Sequence, residues 1–528
     1  MKELYKALGF HSHMIRVLHL FSVARTLIAS TNLKFVYLFH HAKFLPHIQS
    51  LKLVSWTLIS HASSFWLHLL YFVSISLLCF MALQATSHFD PRYSKLDIFF
   101  TSVSACTASS MSVMEMEVFS NYGLLILAIS MFIGGEVFTS MLELRLRMFE
   151  SIHSKRDKGN VVQLGLVHVN LETEEEKLRY GSIKTLFFVV IAYLLAAHVV
   201  GFCLITLYVS QSDSSKIVLR RKNLRLLTFS FFTTVSTFSN CGFLPTDENM
   251  VVFRKQSGLL LLLIPLVVMG NSLYAPILRF TIWVLEKATQ KAEFTYILQH
   301  YSKIGFPHLL SGRHCRFLTG TVAALVALQL IVFSLLEWNS MVMNGMSQME
   351  KMVGSLFQVV NSRHAGESVV DISALSPAIL LVFVLMMYLP PYTSFMPLVN
   401  AEELRDETQR HRDSNNAVGS AFFSQLTYLT IVVAIVCVTE SEKLKHDPLN
   451  FSVLFIVVEV ISAYGNVGYS SGYSCQRQLT TDLLCRNVSY GLAGKWSGKG
   501  KAVLIVVMIF GRLKKKITMK GGMAWRLL

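Results

Sequence analysis

Four short segments of this sequence end in small residues whose backbone oxygens suit a dehydrated alkali cation. The second reads Ser-Thr-Phe-Ser-Asn-Cys-Gly-Phe over Ser236–Phe243, the fourth Ser-Ala-Tyr-Gly-Asn-Val-Gly-Tyr over Ser462–Tyr469. Asn-x-Gly-aromatic thus occurs twice, as Asn240/Cys241/Gly242/Phe243 and Asn466/Val467/Gly468/Tyr469. The third reads Asn-Ser-Arg-His-Ala-Gly-Glu over Asn361–Glu367, and the first Thr-Ala-Ser-Ser-Met-Ser over Thr107–Ser112, with Ser109 and Ser110 at the corresponding place. A cation that sheds its water needs a ring of oxygen dipoles in exchange. Backbone carbonyls form one where the chain turns them inward, and glycine takes φ > 0 without steric cost. Gly242, Gly366 and Gly468 meet that need. Ser110 lacks glycine's range, and a hydroxyl projecting toward the axis disturbs a potassium-sized ring in favour of a smaller cation. A helix leading into each loop aims its negative end at the ion path. One loop glycine is ordinarily a turn; four aligned loop ends argue for internal repeats. Cys106 and Cys241, beside the loop ends, are read as packing, since no Cys/His spacing suits zinc.

Such loops need membrane helices to hold them, and composition supplies these. Of 528 residues, 15% are charged and 53% hydrophobic, and mean hydropathy is +0.49. Soluble chains carry about 25% charge, and one this apolar would expose large patches. Disorder is excluded for the same reason, and eight cysteines in this length make no disulfide scaffold. The net charge of +16 sits mostly between apolar runs, where cytoplasmic loops collect it, so no nucleic acid is expected. Charge-poor runs at 65–85, 118–135, 185–212, 256–278, 317–336, 372–401, 414–439 and 502–511 give eight spans, each needing about 20 apolar residues. Segments 96–110, 226–242, 355–366 and 451–468 are too short to cross and return. They read as re-entrant, since non-helical backbone at membrane depth survives only in protein or against water. The expected fold is an all-α polytopic membrane protein of four helix–pore-loop–helix repeats, eight transmembrane helices in pseudo-fourfold arrangement around one ion pore.

The expected boundaries are a cytoplasmic N-terminal segment 1–52, repeat A 53–148, a cytoplasmic linker 149–182, repeat B 183–286, a linker 287–315, repeat C 316–401, a linker 402–417, and repeat D 418–528 with a cytoplasmic C-terminus. Basic stretches at 145–184, 287–316 and from Gly511 set that orientation. The loop bearing Lys216, Arg220, Arg221, Lys222 and Arg225 then faces outside, against the rule. The sequons at Asn450 and Asn487 fall on the outer side. So do Cys475 and Cys485, whose spacing permits a disulfide that geometry decides.

Several residues carry two readings. Leu389-Pro390-Pro391 breaks the second helix of repeat C; Tyr388–Ser394 is either a gate loop below the ring or a kink of the kind membrane helices tolerate. Arg512 either faces the pore and sets a barrier to cations or snorkels to the inner surface. Glu136 pairs with a basic group the sequence does not name. Asp247 either concentrates cations at the outer mouth or is a screened surface charge without effect. An enzyme would need paired acids or a nucleophile with its base, but no HExxH or GxSxG occurs and His40-His41 is adjacent.

The stretch Phe100–Asn121 resembles the first pore loop of plant HKT transporters, in the Trk/Ktr/HKT superfamily, and Thr233–Met250 resembles the second. Tyr464–Cys475 and Gly511–Lys515 fit the fourth repeat, and the similarity runs over residues 50–528. The resemblance implies one pore built from four repeats of a single chain, commonly in a homodimer in the plasma membrane, passing Na⁺ or K⁺. It implies a filter of Ser110, Gly242, Gly366 and Gly468, flanked by Ser109, Asn240, Cys241, Asn466 and Val467, and a gate at Tyr388, Pro390, Pro391 and Arg512. Members with serine at the first position resemble the Na⁺-selective subfamily; glycine there is more permissive of K⁺. Asp247 stands where related chains carry Asn. The implied activity is channel-like Na⁺ uniport, with a K⁺ transporter or Na⁺/K⁺ symporter as the alternative. No cofactor is implied beyond the transported ion, and the implied partners are lipid and a second copy.

Overall fold

The computed structural model describes residues 64–86, 93–153, 174–395, 425–478 and 490–520, with the side chains of 149–153 and 515–520 excepted. Segments 1–52 and 402–417, Cys485 and Asn487 lie outside the described residues. The contacts divide the chain at Leu67/His68, and the interactions below belong to the unit from His68 onward.

A first helix, a short helix that ends in a loop, and a second helix recur, the second being broken in two of the repeats. In the first repeat these are α1 (Ser64–Thr86), α2 (Lys95–Thr107) and the pair α3 (Asn121–Gly134) and α4 (Glu136–His153). The second has α5 (Glu174–Gln211), a surface helix α6 (Asp213–Arg221), the short α7 (Leu226–Phe238) and the pair α8 (Ser257–Met269) and α9 (Tyr274–Thr289). Helices α10 (Ala292–Gln299) and α11 (Tyr301–Ile304) lead to the third, made of α12 (Gly312–Glu337), the short α13 (Gln348–Asn361) and α14 (Pro377–Tyr388). The fourth has α15 (Gln425–Thr439), α16 (Ser441–His446), the short α17 (Val453–Gly465) and α18 (Gly498–Lys520). Three of the four short helices start at a serine cap, while α7 begins after Arg225 without a side-chain cap. Ser94 with Asp97, and Ser347 with Glu350, close capping boxes on α2 and α13, and the Ser452 hydroxyl accepts the Phe455 amide on α17.

Packing closes these units into a ring. Each short helix packs on the second helix of the preceding repeat: α7 on α3, α13 on α8, α17 on α14, and α2 on α18. The last repeat therefore abuts the first, and chain order is also the order around the axis. Three glycines bring the second helices against the short ones. A Cβ on Gly134, Gly270 or Gly511 would stand 2.0, 1.8 or 2.1 Å from the carbonyl oxygen of Cys106, Phe238 or Tyr464. Overpacking a fitted core costs about 1–3 kcal/mol. Gly270→Ala should therefore lower the thermal midpoint of the detergent-solubilised protein by several degrees. Gly320→Ala, where a Cβ meets nothing within 4 Å, should leave the midpoint unchanged or slightly raised; equal behaviour of the two would remove this role.

The helices differ from the expected spans. Among the described residues three are long and apolar enough to cross a membrane, α1, α5 and α12, or five if each bent pair is one span. The expected span at 118–135 is α3, which bends by 52° into α4. A Cβ on Gly135 at that bend would lie 3.0 Å from Ser239 Oγ of the neighbouring repeat. The span at 256–278 is broken at 270–273 with an 84° turn, where Gly270 meets the carbonyl end of α7. Among the described residues the span at 372–401 holds one α-helix, the 12-residue α14, which ends before Leu389. The expected short last span is instead a 23-residue helix that includes Lys499, Lys501 and Arg512. Its Lys501 reaches Asp97 of α2 at 2.6 Å, a buried pair that lets the charge enter the helix. The linker expected at 287–315 is largely helical, with α10 packed on α5.

Candidate functional site

The structure brings Ser110, Gly242, Gly366 and Gly468 to the floor of one cavity of about 300 Å³. Their close approaches run around a circle. A Cβ on Gly242 would fall 1.6 Å from Ala365 O and 3.0 Å from Ser110 Oγ; one on Gly366 would fall 2.2 Å from Val467 O. One on Gly468 would fall 2.1 Å from Ser110 Cβ and 2.6 Å from Ser110 Oγ. First loop thus meets second, second meets third, third meets fourth, and fourth returns to the first. All four residues have positive φ: 54° at Ser110, 76° at Gly242, 69° at Gly366 and 97° at Gly468. Ser110 thus adopts the left-handed conformation that the sequence reading held difficult for serine. The cost is about 1–2 kcal/mol, and the two glycines beside it leave room for the side chain.

Three loops share one construction. A second left-handed residue stands two places earlier, Ala108, Asn240 and Asn466. The amides of Ser109, Cys241 and Val467 reach back to the carbonyls of Ser104, Ser236 and Ser462 at 2.9, 2.9 and 3.0 Å, the closure expected of a left-handed helix end. Asn240 and Asn466 also donate to Val267 O and Met508 O on the second helices of their own repeats, each at 3.1 Å. Asn466 donates across to Ser109 Oγ at 2.7 Å, joining the fourth loop to the first. The third loop departs. It has no left-handed residue before Gly366, and His364 lies 2.8 Å from Ser272 Oγ in the broken turn between α8 and α9. Cys106 and Cys241 are buried free thiols packed beside the loop ends.

On the far side of the ring a cavity of about 10 Å³ is lined by Ala108, Asn240, Asn466, Glu136, Tyr392 and Arg512, among others. That is room for about one water. Arg512 is 3% exposed. Its Nη1 pairs with Glu136 Oε2 at 3.0 Å, and its Nη2 donates to Gly134 O at 2.6 Å. This overturns snorkelling for Arg512 and gives Glu136 a guanidinium partner, with His308 Nε2 3.7 Å from its other oxygen. Of the Tyr388–Ser394 loop, Pro391 and Tyr392 reach this cavity; Tyr388 and Pro390 do not line it. Tyr392 was not singled out from sequence; its hydroxyl lies 2.7 Å from His308 Nδ1. The buried Arg363, also missed, donates to Pro390 O at 2.6 Å and ties this loop to the third loop.

The wide mouth carries charge. Asp247 and Glu117 exchange backbone-to-carboxylate bonds of 3.0 and 3.2 Å, and Lys222 lies 2.7 Å from both Glu117 and Glu248. Burial pushes the Asp247 carboxyl up to about 6, with Glu117 and Glu115 adding; the Glu117 amide and Lys222 oppose. Arg477 lines the same cavity and donates to Ser471 O and Gly472 O at 3.3 and 3.4 Å. Asn450 is fully buried, with its amide given to Asp447 and Ser474, so its sequon offers no exposed acceptor and no longer marks a side. Cys475 is disulfide-bonded, with its partner outside the described residues.

Residues 157–516 match the family TrkH, described as cation transport protein. The chain is 48% identical to the sodium transporter HKT1 of Arabidopsis thaliana, over 81% of this chain and 88% of that one. It is 44% identical to the cation transporter HKT1;3 of Oryza sativa subsp. japonica, over 88% and 91%. The solved potassium transporter TrkH of Vibrio parahaemolyticus aligns at 14% identity with a TM-score of 0.46, over 88% of this chain and 86% of that one.

Proposed function

The chain belongs to the TrkH family of cation transport proteins, and from that premise we propose that it conducts Na⁺ down its electrochemical gradient through the ring of Ser110, Gly242, Gly366 and Gly468. It is a membrane transporter and not an enzyme. The observation that carries the Na⁺ reading is Ser110, whose Cβ and Oγ occupy the space beside Gly468 and whose Oγ faces Gly242. A left-handed residue reverses its peptide, so successive carbonyls turn toward the axis and replace hydration. The serine side chain narrows the ring on one side and adds a hydroxyl oxygen, which favours the smaller ion. Ser109, Asn240, Cys241, Asn466 and Val467 hold the loop ends in register.

Below the ring, Pro391, Tyr392 and Arg512 form the constriction, with the guanidinium as the barrier to be crossed and Glu136 as its partial counterweight. The wide mouth faces outside, both termini lie in the cytoplasm, and the protein works in the plasma membrane as a homodimer. The aromatic and aliphatic side chains exposed on its helices meet lipid. One observation favours the alternative, a K⁺ transporter or Na⁺/K⁺ symporter: a carboxylate at Asp247 enriches any cation at the mouth and relaxes the preference set below.

Voltage clamp of the expressed chain tests the reading. The reversal potential should follow external Na⁺ and ignore K⁺; a potential that follows K⁺ or both ions equally overturns the Na⁺ assignment. The mouth carries its own signature. Asp247 loses its charge as pH falls through about 6. Inward current at low external Na⁺ should then drop about two- to threefold between about pH 7.5 and 5.5. Asp247→Asn should give the lower current at both pH values, and a pH response that persists in this variant assigns it elsewhere.

A further inference from the structure

We propose that Glu367 is a positioning residue, whose carboxyl locks the third loop to the second from behind and so maintains the width at which the ring prefers Na⁺; this rests on the filter reading above. Glu367 follows Gly366 directly. Gly366 and Ser368 line the wide cavity, while Glu367 between them does not. Its side chain turns away from the ion path and is completely buried. Oε1 accepts a 2.5 Å hydrogen bond from Thr237 Oγ1 in α7, and Oε2 has no hydrogen-bond partner. Burying a carboxyl with one oxygen unmet is costly, and an apolar side chain of the same size would fill the space. What the polar group adds is a bond between repeats.

The two following residues are held as well. The Ser368 amide donates to Asn249 Oδ1 at 3.1 Å and the Val369 amide to Gln358 Oε1 at 3.0 Å. Gln358 donates through Nε2 to the Tyr469 hydroxyl at 2.8 Å, and that hydroxyl donates to Gln358 O at 2.6 Å. Tyr469 follows Gly468, as Glu367 follows Gly366. A buried hydrogen-bonded band thus joins the second, third and fourth loops behind the ring, and Asn466 to Ser109 carries it to the first. The Thr237–Glu367 bond is its link between α7 and the third loop. Without it, the third loop loses its tie to α7 and is held to the second repeat only through Asn249 and Ser272, and the ring widens toward the larger ion.

The test is the K⁺-to-Na⁺ permeability ratio from reversal potentials, a quantity independent of how much protein reaches the surface. Thr237→Val, which keeps shape and loses the hydroxyl, and Glu367→Ala should each raise the ratio about five- to tenfold. Thr237→Ser and Glu367→Gln, which keep the donor and the acceptor, should stay within about twofold of the parent. A parent selective for Na⁺ whose ratio is unmoved by Thr237→Val overturns the role of Glu367 alone. So does a Glu367→Gln ratio as high as that of Glu367→Ala, because charge rather than the bond would then be at work. A parent that follows K⁺ overturns the filter reading instead.

Discussion

Ser110→Gly should raise the K⁺-to-Na⁺ permeability ratio by about tenfold, the scale on which a site separates substrates that differ by one small group. The substitution removes the one Cβ and hydroxyl in a ring otherwise made of glycine. It also removes backbone strain, since Ser110 sits at φ 54°, a region glycine enters freely. The variant should therefore fold at least as well as the parent, and a changed ratio reports the ring rather than a damaged protein. The reverse change is informative too. A side chain at Gly468 would begin 2.1 Å from Ser110 Cβ, so Gly468→Ser alone should abolish transport, and Ser110→Gly in the same chain should restore part of it. An unaltered ratio in Ser110→Gly would sink the assignment of Na⁺ preference to this residue.

Arg512→Gln should increase Na⁺ current per surface protein about tenfold, and Glu136→Gln should decrease it by a similar factor. Two like charges about 5 Å apart at an effective dielectric of 20 repel by about 3 kcal/mol, and the paired carboxylate cancels part of that. Removing the guanidinium lowers the barrier to a cation leaving the ring; removing the carboxylate leaves the guanidinium uncompensated. Each single change also breaks a buried pair, which destabilises. The double variant lacks both charges and should carry about the tenfold-raised current of Arg512→Gln, since Glu136 acts on the ion path through the guanidinium it compensates; additive effects would return it to the parent's current. Coupling between the two changes is the quantity to measure: additive effects would mean that Arg512 and Glu136 act separately despite their 3.0 Å contact.

Much of the ring was legible because its determinants are local. Gly242 and Gly468 sit in the same Asn-x-Gly-aromatic string, and the string encodes both the left-handed Asn and the left-handed Gly. The first loop was legible only by position, since Ala108 and Ser110 are left-handed without glycine or asparagine. Contacts between repeats left no local trace. Thr237 and Glu367 are 130 positions apart, and nothing near either marks the other. The bend at Gly135 and the break at 270–273 arise where a neighbouring loop or short helix presses on the second helix, so runs of apolar residues read as single straight spans. Arg512 looked able to snorkel because only its own helix was in view; the acid that holds it is on another repeat.

The circular order of the repeats also has a consequence for biosynthesis. Ser109 waits for Asn466, which is 357 positions away and, at about 5–20 residues per second, leaves the ribosome roughly 20 to 70 s later. Until then the first loop holds buried hydroxyls and amides that have no counterpart in lipid. The nascent protein therefore carries an open polar flank through most of its insertion, and that flank is closed only by the final repeat. A chain cut short before it should display this flank to the cell's folding surveillance, whereas a complete chain hides it.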